Sequence, residues 1–170
     1  MTSSATVLAP ALKRLDVRAA REQDLAAALA LLAWEQKKNP WLTSLPELLR
    51  AAVDDPAGEY RACVAERDGE LVGFGVYGLV SGTVGTAAVY GVLVAARSRR
   101  AGIGLRLMLH MMQDLTKAGT RMVFAEVPGD ACVMRYRALL IAYGFMEETR
   151  IDDFYRDDVP QIISRFDLQP

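Results

Sequence analysis

A cluster of arginines and glycines stands where a strand-like run gives way to a helix-like run. The apolar run ends at Val94, residues 99–104 read Arg-Arg-Ala-Gly-Ile-Gly, and helical periodicity begins after Gly104. The first N–H groups of a helix lack intrahelical partners, and the helix dipole adds partial positive charge there, so such a turn can bind an anion. Glycines let a phosphate approach the backbone closely, and arginines add local charge. These residues predict a phosphate site; a plain strand–helix turn with solvated arginines is the alternative.

Two other phosphate-binding motifs do not fit this turn. A Walker loop ends in Gly-Lys followed by Ser or Thr, and the sequence has no such ending. A dinucleotide fingerprint needs a third glycine at the position of Leu107, and no βαβ unit opens around it. The pattern that remains is Arg-x-x-Gly-x-Gly between a strand and a helix.

The composition indicates one globular domain without an overall charge preference. The chain has 170 residues, of which 52% are hydrophobic and 24% charged, and its formal net charge is -1. We therefore expect neither nucleic acid nor a membrane as a partner, and the longest helix-like apolar run, residues 25–34, is too short to span a bilayer. Cys63 and Cys132 lack metal-ligand spacing, so no metal site is predicted. We interpret both as buried free thiols of a cytoplasmic protein.

Hydrophobic periodicity predicts a single α/β (α+β) domain over residues 13–170, after a loose tail at residues 1–12. The predicted order is β-α-α-β-β-β-α-β-α-β-β. Asp68-Gly69 has the sequence of a type I′ hairpin turn. Gly73 and Gly75 share one face of the following strand, and that flat face could admit a backbone, a helix or a ligand.

Two further elements have distinctive patterns. The strand within residues 120–127 is almost continuously apolar, which predicts burial on both faces. The helix after Gly104 is amphipathic. Its buried side is expected to consist of Leu105, Met108, Leu109, Met112 and Leu115.

Together these features resemble the GNAT superfamily of acyl-CoA-dependent N-acetyltransferases. The family signature is Arg/Gln-x-x-Gly-x-Gly/Ala after a strand such as Val-Leu-Val at 92–94, and the opening DVRAAREQDLAAALAL, the Tyr-Gly-Phe at 143–145 and the order of elements agree with it. The resemblance implies a GNAT-like fold: a mixed central sheet with splayed strands and about four flanking helices. It also implies acetyl-CoA as cofactor. The residues expected to bind the coenzyme are Val92, Leu93, Val94, Arg99, Arg100, Gly102, Ile103 and Gly104.

The reaction implied by the resemblance is transfer of the acetyl group to a primary amine of a small molecule or peptide, by direct attack in a ternary complex. The backbone N–H of Val94 is expected to face the thioester carbonyl. The family often has a tyrosine as general acid where this chain has Leu140, and an asparagine at about Val133. Tyr143 is the candidate replacement acid and Tyr136 a second one, although both could simply pack, and a thiolate can also leave without an acid.

Two more candidates come from residue type and position. Glu126 lies at the carboxyl end of an apolar strand, where a desolvated carboxylate would suit proton abstraction; an ion pair with Arg135 is the alternative. Cys132 could stand near the sulfur, or be a structural thiol. His110, the only histidine, shares a polar helical stripe with charged residues, which indicates a solvated face.

The resemblance places the acceptor amine between the first helix pair and the last hairpin. The candidate acceptor-binding residues are Trp34, Tyr90, Asp153 and Tyr155, because carboxylates and aromatic faces attract a cationic amine. Two other functions stay open: a non-catalytic acyl-CoA-binding or regulatory domain with a degenerate site, and a purely structural α/β module. An exposed closing strand could also pair two copies into a homodimer.

Overall fold

Seven strands form one mixed sheet in the order β1-β2-β3-β4-β5-β7-β6. The computed structural model describes residues 15–168, so the predicted tail at residues 1–12 lies outside the described residues. The order of elements along the chain is the predicted one, and the predicted single α/β domain is confirmed. The elements are β1 (Leu15–Ala19), α1 (Leu25–Gln36), α2 (Leu45–Asp54), β2 (Tyr60–Arg67), β3 (Glu70–Leu79), β4 (Thr86–Val94), α3 (Ile103–Lys117), β5 (Met122–Pro128), α4 (Met134–Tyr143), β6 (Met146–Arg156) and β7 (Val159–Asp167).

Strands β4 and β5 form the one parallel pair of the described sheet, and they separate along their length. Pairing covers Thr86–Ala88 on β4 and Met122–Phe124 on β5, after which neither strand has the other as a neighbour. Just beyond this point β4 contains a bulge at Tyr90, because Tyr77 and Val76 of β3 stand opposite Val89 and Gly91. The resemblance predicted splayed strands, and the structure confirms the splay.

Two layers of helices cover the sheet. Helices α1 and α2 pack on β2 and β3 from one side, where Leu32 and Leu49 join Phe74 in one buried cluster. Helix α3 packs on the other side, against the flat face made by the glycines of β3. A Cβ added to Gly75 would lie 2.8 Å from the Sδ atom of Met111. Of the three possible occupants of this face, a helix is the one present.

The buried side of α3 differs from the predicted one. Leu105 and Leu109 are 43% and 44% exposed, so their predicted burial was wrong. Ile103, Leu107 and Met111 are buried instead, beside the correctly predicted Met108, Met112 and Leu115. Apolar residues surround more than half of this helix, so periodicity alone does not fix its inward face. The position of the glycine face of β3 decides it.

The predicted hairpin turn joins β2 to β3, and a glycine ends α4. Asp68 and Gly69 have φ of 55° and 79°, as a type I′ hairpin requires, and Gly144 ends α4 with a φ of 118°.

Within residues 15–168, no helix has the length and apolar character needed to cross a bilayer.

Candidate active site

The arginine–glycine turn leaves the start of α3 uncapped. Gly102 precedes the helix with φ 71° and ψ 8°, a left-handed conformation that favours glycine, and no side chain of the described residues caps it. The first intrahelical bond runs from the N–H of Arg106 to the Gly102 carbonyl, 3.1 Å away. The N–H groups of Gly102, Ile103, Gly104 and Leu105 therefore have no intrahelical acceptor. A Cβ at Gly102 would meet no atom within 4 Å, so open space lies beside these donors.

The second glycine has a different structural role. A Cβ at Gly104 would lie 3.2 Å from both terminal methyl carbons of Leu139, which belongs to α4. Gly104 thus lets α4 approach the first turn of α3. The two helices meet there and form one side of a groove.

The three arginines of the turn have different surroundings. Arg99 donates from Nε to the Val94 carbonyl (3.0 Å) and from Nη2 to Glu35 of α1 (2.6 Å). Arg97 is paired with Glu70. Arg100 is exposed and has no ion pair among the described residues. Arg100 is therefore the guanidinium available to an anion, while Arg99 ties the turn to the strand and to α1.

A groove of about 840 Å³ runs along the part of β4 that no longer pairs with β5. One wall comes from the α1 side, with Glu35, Asn39 and Leu42, and the other from the α3–α4 side, with Tyr136 and Leu139. All eight residues expected to bind the coenzyme line this one groove: Val92, Leu93, Val94, Arg99, Arg100, Gly102, Ile103 and Gly104. The groove therefore connects the two faces of the sheet.

Strand β4 turns alternate backbone groups towards the groove. The N–H of Ala95 donates to the Val72 carbonyl of β3 at 2.9 Å. Because backbone groups alternate along a strand, those of Val94 and Val92 point the other way, into the splay. The Val94 carbonyl is occupied by Arg99, as described above, but the Val94 N–H is directed into the groove. The candidate oxyanion donor inferred from the resemblance therefore lies where a ligand can reach it.

The tyrosine at the narrow end of the splay is Tyr136. Its hydroxyl donates to the Val89 carbonyl (3.1 Å), one residue beyond the last paired residue of β4. Burial raises the pKa of Tyr136, which keeps the hydroxyl protonated. Tyr143, the first candidate acid, is not in the groove: its ring packs against Phe166 at 5.4 Å and lines a separate depression beside α3 and β7. The helix turn that carries Tyr143 points away from the splay.

Glu126 lies on the α1–α2 side of the sheet and is exposed. Its neighbours Ala125 and Val127 belong to the core beneath α3 and α4, so Glu126 faces the opposite side, which α1 and α2 leave open over β5. The prediction that β5 is buried on both faces was therefore wrong at this position. The Glu126 carboxylate accepts a hydrogen bond from Gln161 Nε2 (2.8 Å) rather than pairing with Arg135.

Two tyrosines stand on either side of Glu126. Tyr90 packs edge-on against Tyr60, with ring centroids 5.6 Å apart, and Tyr155 lies 5.0 Å from Trp41. Burial raises the pKa of both Tyr90 and Tyr155, and the nearby Glu126 charge raises each further. Tyr90 also lines the groove, so it connects the groove to the face that carries Glu126.

The structure does not bring Trp34 and Asp153 to this face. Trp34 is 53% exposed, and the ammonium groups of Lys37 and Lys38 lie 5.6 and 5.2 Å from its ring centroid. Asp153 has a φ of 53°, and its carboxylate accepts from the Asp158 N–H at 2.8 Å. Trp34 therefore points to solvent, and Asp153 shapes the β6–β7 hairpin.

Cys132 is exposed and lines the groove, so its predicted burial was wrong, whereas Cys63 is buried. The short helical turn Ala131–Val133 buries only Val133. Partial burial, followed by a hydrogen bond with Asp130, raises the pKa of the Cys132 thiol to about 11. The thiol is therefore protonated at neutral pH and is a weak nucleophile.

A parallel strand pair that splays around a groove, with an uncapped helix start at one end, is the arrangement of the acyl-CoA-dependent acetyltransferases that the sequence resembles. The chain belongs to the Acetyltransferase (GNAT) family, whose model matches residues 26–132. A comparison with curated proteins gave no match.

Solved structures of GNAT proteins share this fold. A GNAT-family protein from Desulfovibrio desulfuricans superimposes with a TM-score of 0.81 at 24% identity, covering 91% of this chain and 99% of that one. The ribosomal-protein-S18-alanine N-acetyltransferase of Escherichia coli gives 0.69 at 19% identity, covering 92% and 96%. The protein yncA of Salmonella typhimurium, described with its cofactor acetyl-CoA, gives 0.66 at 15% identity, covering 91% and 94%. At these identities the likeness concerns the fold.

Proposed function

We propose that this protein is an acetyl-CoA-dependent N-acetyltransferase that acetylates a primary amine of a small molecule or peptide by direct attack in a ternary complex. The observation that carries the proposal is the groove along the splayed part of β4. It joins the uncapped start of α3 to Tyr90, which lies on the face of the sheet where Glu126 is exposed; Glu126 itself does not line the groove. A coenzyme and an acceptor could thus approach one another from opposite sides of the sheet.

The residues of the turn fit a coenzyme A diphosphate. The free N–H groups that follow Gly102 are donors for phosphate oxygens, and Arg100 adds an unpaired positive charge. The open space at the Gly102 Cβ position is the cradle that a side chain would fill. The exposed backbone edge at Val92 and Val94 suits the amide groups of the pantetheine arm.

Acetyl-CoA supplies an acetyl group activated as a thioester. The chain's own residues then have three functions. Glu126 accepts a proton from the amine, and the Val94 N–H stabilises the negative charge that develops on the carbonyl oxygen. The Tyr136 hydroxyl would exchange its bond to the Val89 carbonyl for one to the departing thiolate. Overall an N–C bond forms and the C–S bond breaks; one proton of the ammonium group moves to the carboxylate, and the second proton lost by the nitrogen passes to the thiolate, which leaves as the thiol.

The surroundings of Glu126 support an amine as acceptor. One carboxylate and the faces of Tyr90 and Tyr155 form an exposed surface, and none of the described arginines or lysines pairs with Glu126. Carboxylates and aromatic faces both attract a cationic amine before it loses its proton. In this surface Glu126 takes the place of Asp153, the carboxylate that the sequence indicated for the acceptor.

A second candidate function is a non-catalytic acyl-CoA-binding domain, and it is favoured by Leu140. This residue occupies the position of the family's tyrosine and is fully buried in the core. Such a domain would keep the groove and the uncapped helix start but would not catalyse acetyl transfer.

Turnover distinguishes the two functions. The purified protein is mixed with acetyl-CoA and a panel of acceptors, which are primary amines and peptides with a free N-terminal amine. Free thiol and acetylated product are measured, and a tertiary amine serves as the control. Thiol release that depends on a primary amine supports the enzyme. A melting temperature raised by coenzyme A, without thiol release for any amine, supports the binding domain. Absence of both effects contradicts both functions.

A further inference from the structure

The side chain of Gln161 meets Glu126 across two paired strands. In the antiparallel β5–β7 register, Glu126 stands opposite Ile163 and Pro128 opposite Gln161. Glu126 and Gln161 are therefore diagonal neighbours on one face of the sheet, within reach of long side chains. Gln161 Nε2 donates to Glu126 Oε2 at 2.8 Å.

The two partners differ in burial, which makes one of them an anchor. Gln161 is only 6% exposed, although its side chain is a primary amide, whereas Glu126 is exposed. A buried amide is normally hydrogen-bonded, and here its N–H donor is directed at the carboxylate. The same amide lies beside the Tyr155 hydroxyl, where it opposes the rise that burial causes in the pKa of Tyr155. Packing fixes Gln161, and Gln161 in turn restrains a flexible carboxylate.

The neutrality of the anchor matters for the chemistry. An arginine or lysine at this position would neutralise the carboxylate and weaken it as a proton acceptor. A glutamine orients the carboxylate and leaves its negative charge in place. The titratable groups that face Glu126 are Tyr90 from β4 and Tyr155 from β6, both neutral in their ordinary state, and Oε1 has no hydrogen-bond partner within residues 15–168.

We propose that Gln161 is a positioning residue for acetyl transfer: it holds Glu126 Oε2 so that Oε1 faces the acceptor amine. This rests on the function proposed above. One proton of the ammonium group moves to Oε1, the freed nitrogen lone pair forms the N–C bond, and the C–S electrons leave with the sulfur. The second N–H proton lost by the nitrogen passes to the thiolate, which is released as the thiol. Gln161 itself exchanges no proton.

The test replaces the donor and keeps the size of the side chain. Gln161→Met should lower kcat roughly ten- to hundredfold, because a misplaced catalytic group costs about that much. The KM for acetyl-CoA and the Kd for coenzyme A should stay at wild-type values, since Gln161 does not line the groove. Ser164→Ala is the matched control, a buried polar change on the opposite face of β7, and it should keep the wild-type kcat.

A double-mutant cycle separates positioning from general packing. In a Glu126→Gln background, Gln161→Met should lower kcat by less than about twofold, because its only catalytic partner is already lost. The loss of kcat caused by Gln161→Met alone should also become smaller as the pH approaches the pKa of the acceptor amine, which is about 8 for an α-amine. At that pH solvent removes the proton from the amine. Equal effects of Gln161→Met with and without Glu126 would overturn the proposal.

The remaining outcomes are also decisive. If Gln161→Met does not fold, as judged from its melting curve, Gln161→Glu keeps the size and polarity but opposes Glu126, and a wild-type kcat near neutral pH would then refute the role. If wild-type protein binds coenzyme A but acetylates no amine, the proposed function fails, and Gln161 loses its role with it. If wild-type protein is active and Gln161→Met is equally active, the positioning role alone fails.

Discussion

Gly102→Ala tests the phosphate turn with the smallest possible change. Gly102 has a φ of 71°, and an added Cβ would meet no atom within 4 Å. No clash contributes, so the folding cost is the conformational cost of an L-residue in the left-handed region, about 1–2 kcal/mol. For a chain of 170 residues that corresponds to a fall in melting temperature of roughly 2–8 °C. The new methyl group nevertheless occupies the space beside the free N–H donors.

The loss of coenzyme affinity should exceed anything that stability explains. We expect the Kd for coenzyme A to rise at least tenfold, about 1.4 kcal/mol, because the diphosphate can no longer approach the backbone. Isothermal calorimetry on folded protein measures this value directly. Gly119→Ala is the matched control, because Gly119 also has a positive φ (75°) and an open Cβ position but follows the other end of α3. It should cost the same stability and leave the Kd unchanged.

The comparison of these two variants decides the outcome. If Gly102→Ala binds coenzyme A as tightly as Gly119→Ala does, the diphosphate is not held by the start of α3. The assignment of the groove would then lose its main support.

Three further predictions concern the splay and the fold. Glu126→Gln should lower kcat/KM roughly 10²- to 10⁴-fold in the thiol-release assay with an unchanged Kd for coenzyme A, as loss of a general base would; a wild-type value would contradict the assignment. Tyr136→Phe should lower kcat about tenfold while Tyr143→Phe does not, and the reverse order in steady-state kinetics would restore Tyr143 as the acid. Arg18 makes a bidentate pair with Asp24, and this pair lowers the pKa of Asp24. The stability that the pair adds to the fold is therefore present above the ordinary carboxyl pKa range and is lost as the pH falls through the lowered value. Asp24→Asn should therefore cost about 1.5–3 kcal/mol in urea unfolding at pH 7 and progressively less as the pH falls through the lowered value, whereas a cost that does not change with pH would contradict the linkage.

The shared location of the eight candidate coenzyme-binding residues in one groove was predictable because they are neighbours in the sequence. The whole segment from Val92 to Gly104 is one strand end, one turn and one helix start, and local rules apply to each part. Turn chemistry worked for the same reason at Asp68-Gly69 and at Gly144. These features need only the conformational preferences of a few adjacent residues.

The acceptor side required contacts that no local pattern encodes. Arg99 reaches Glu35 across 64 positions, and Gln161 reaches Glu126 across 35. Glu126 was found because it interrupts an apolar strand, but the amide that anchors it carries no such signal. Trp34 was chosen for its residue type, and the rotation of α1, which turns Glu35 rather than Trp34 to the groove, depends on packing.

The splay itself explains why the site lies where it does. A buried strand normally satisfies its backbone groups through both neighbours, and β4 loses one neighbour after Ala88. Side chains compensate at two carbonyls: Tyr136 donates to Val89 and Arg99 donates to Val94. The N–H groups on the same edge need acceptors, which the Arg99 guanidinium cannot supply. The incomplete ladder therefore leaves hydrogen-bond donors directed at the groove, and under the proposed function an acyl thioester with its pantetheine amides would provide the acceptors that they lack.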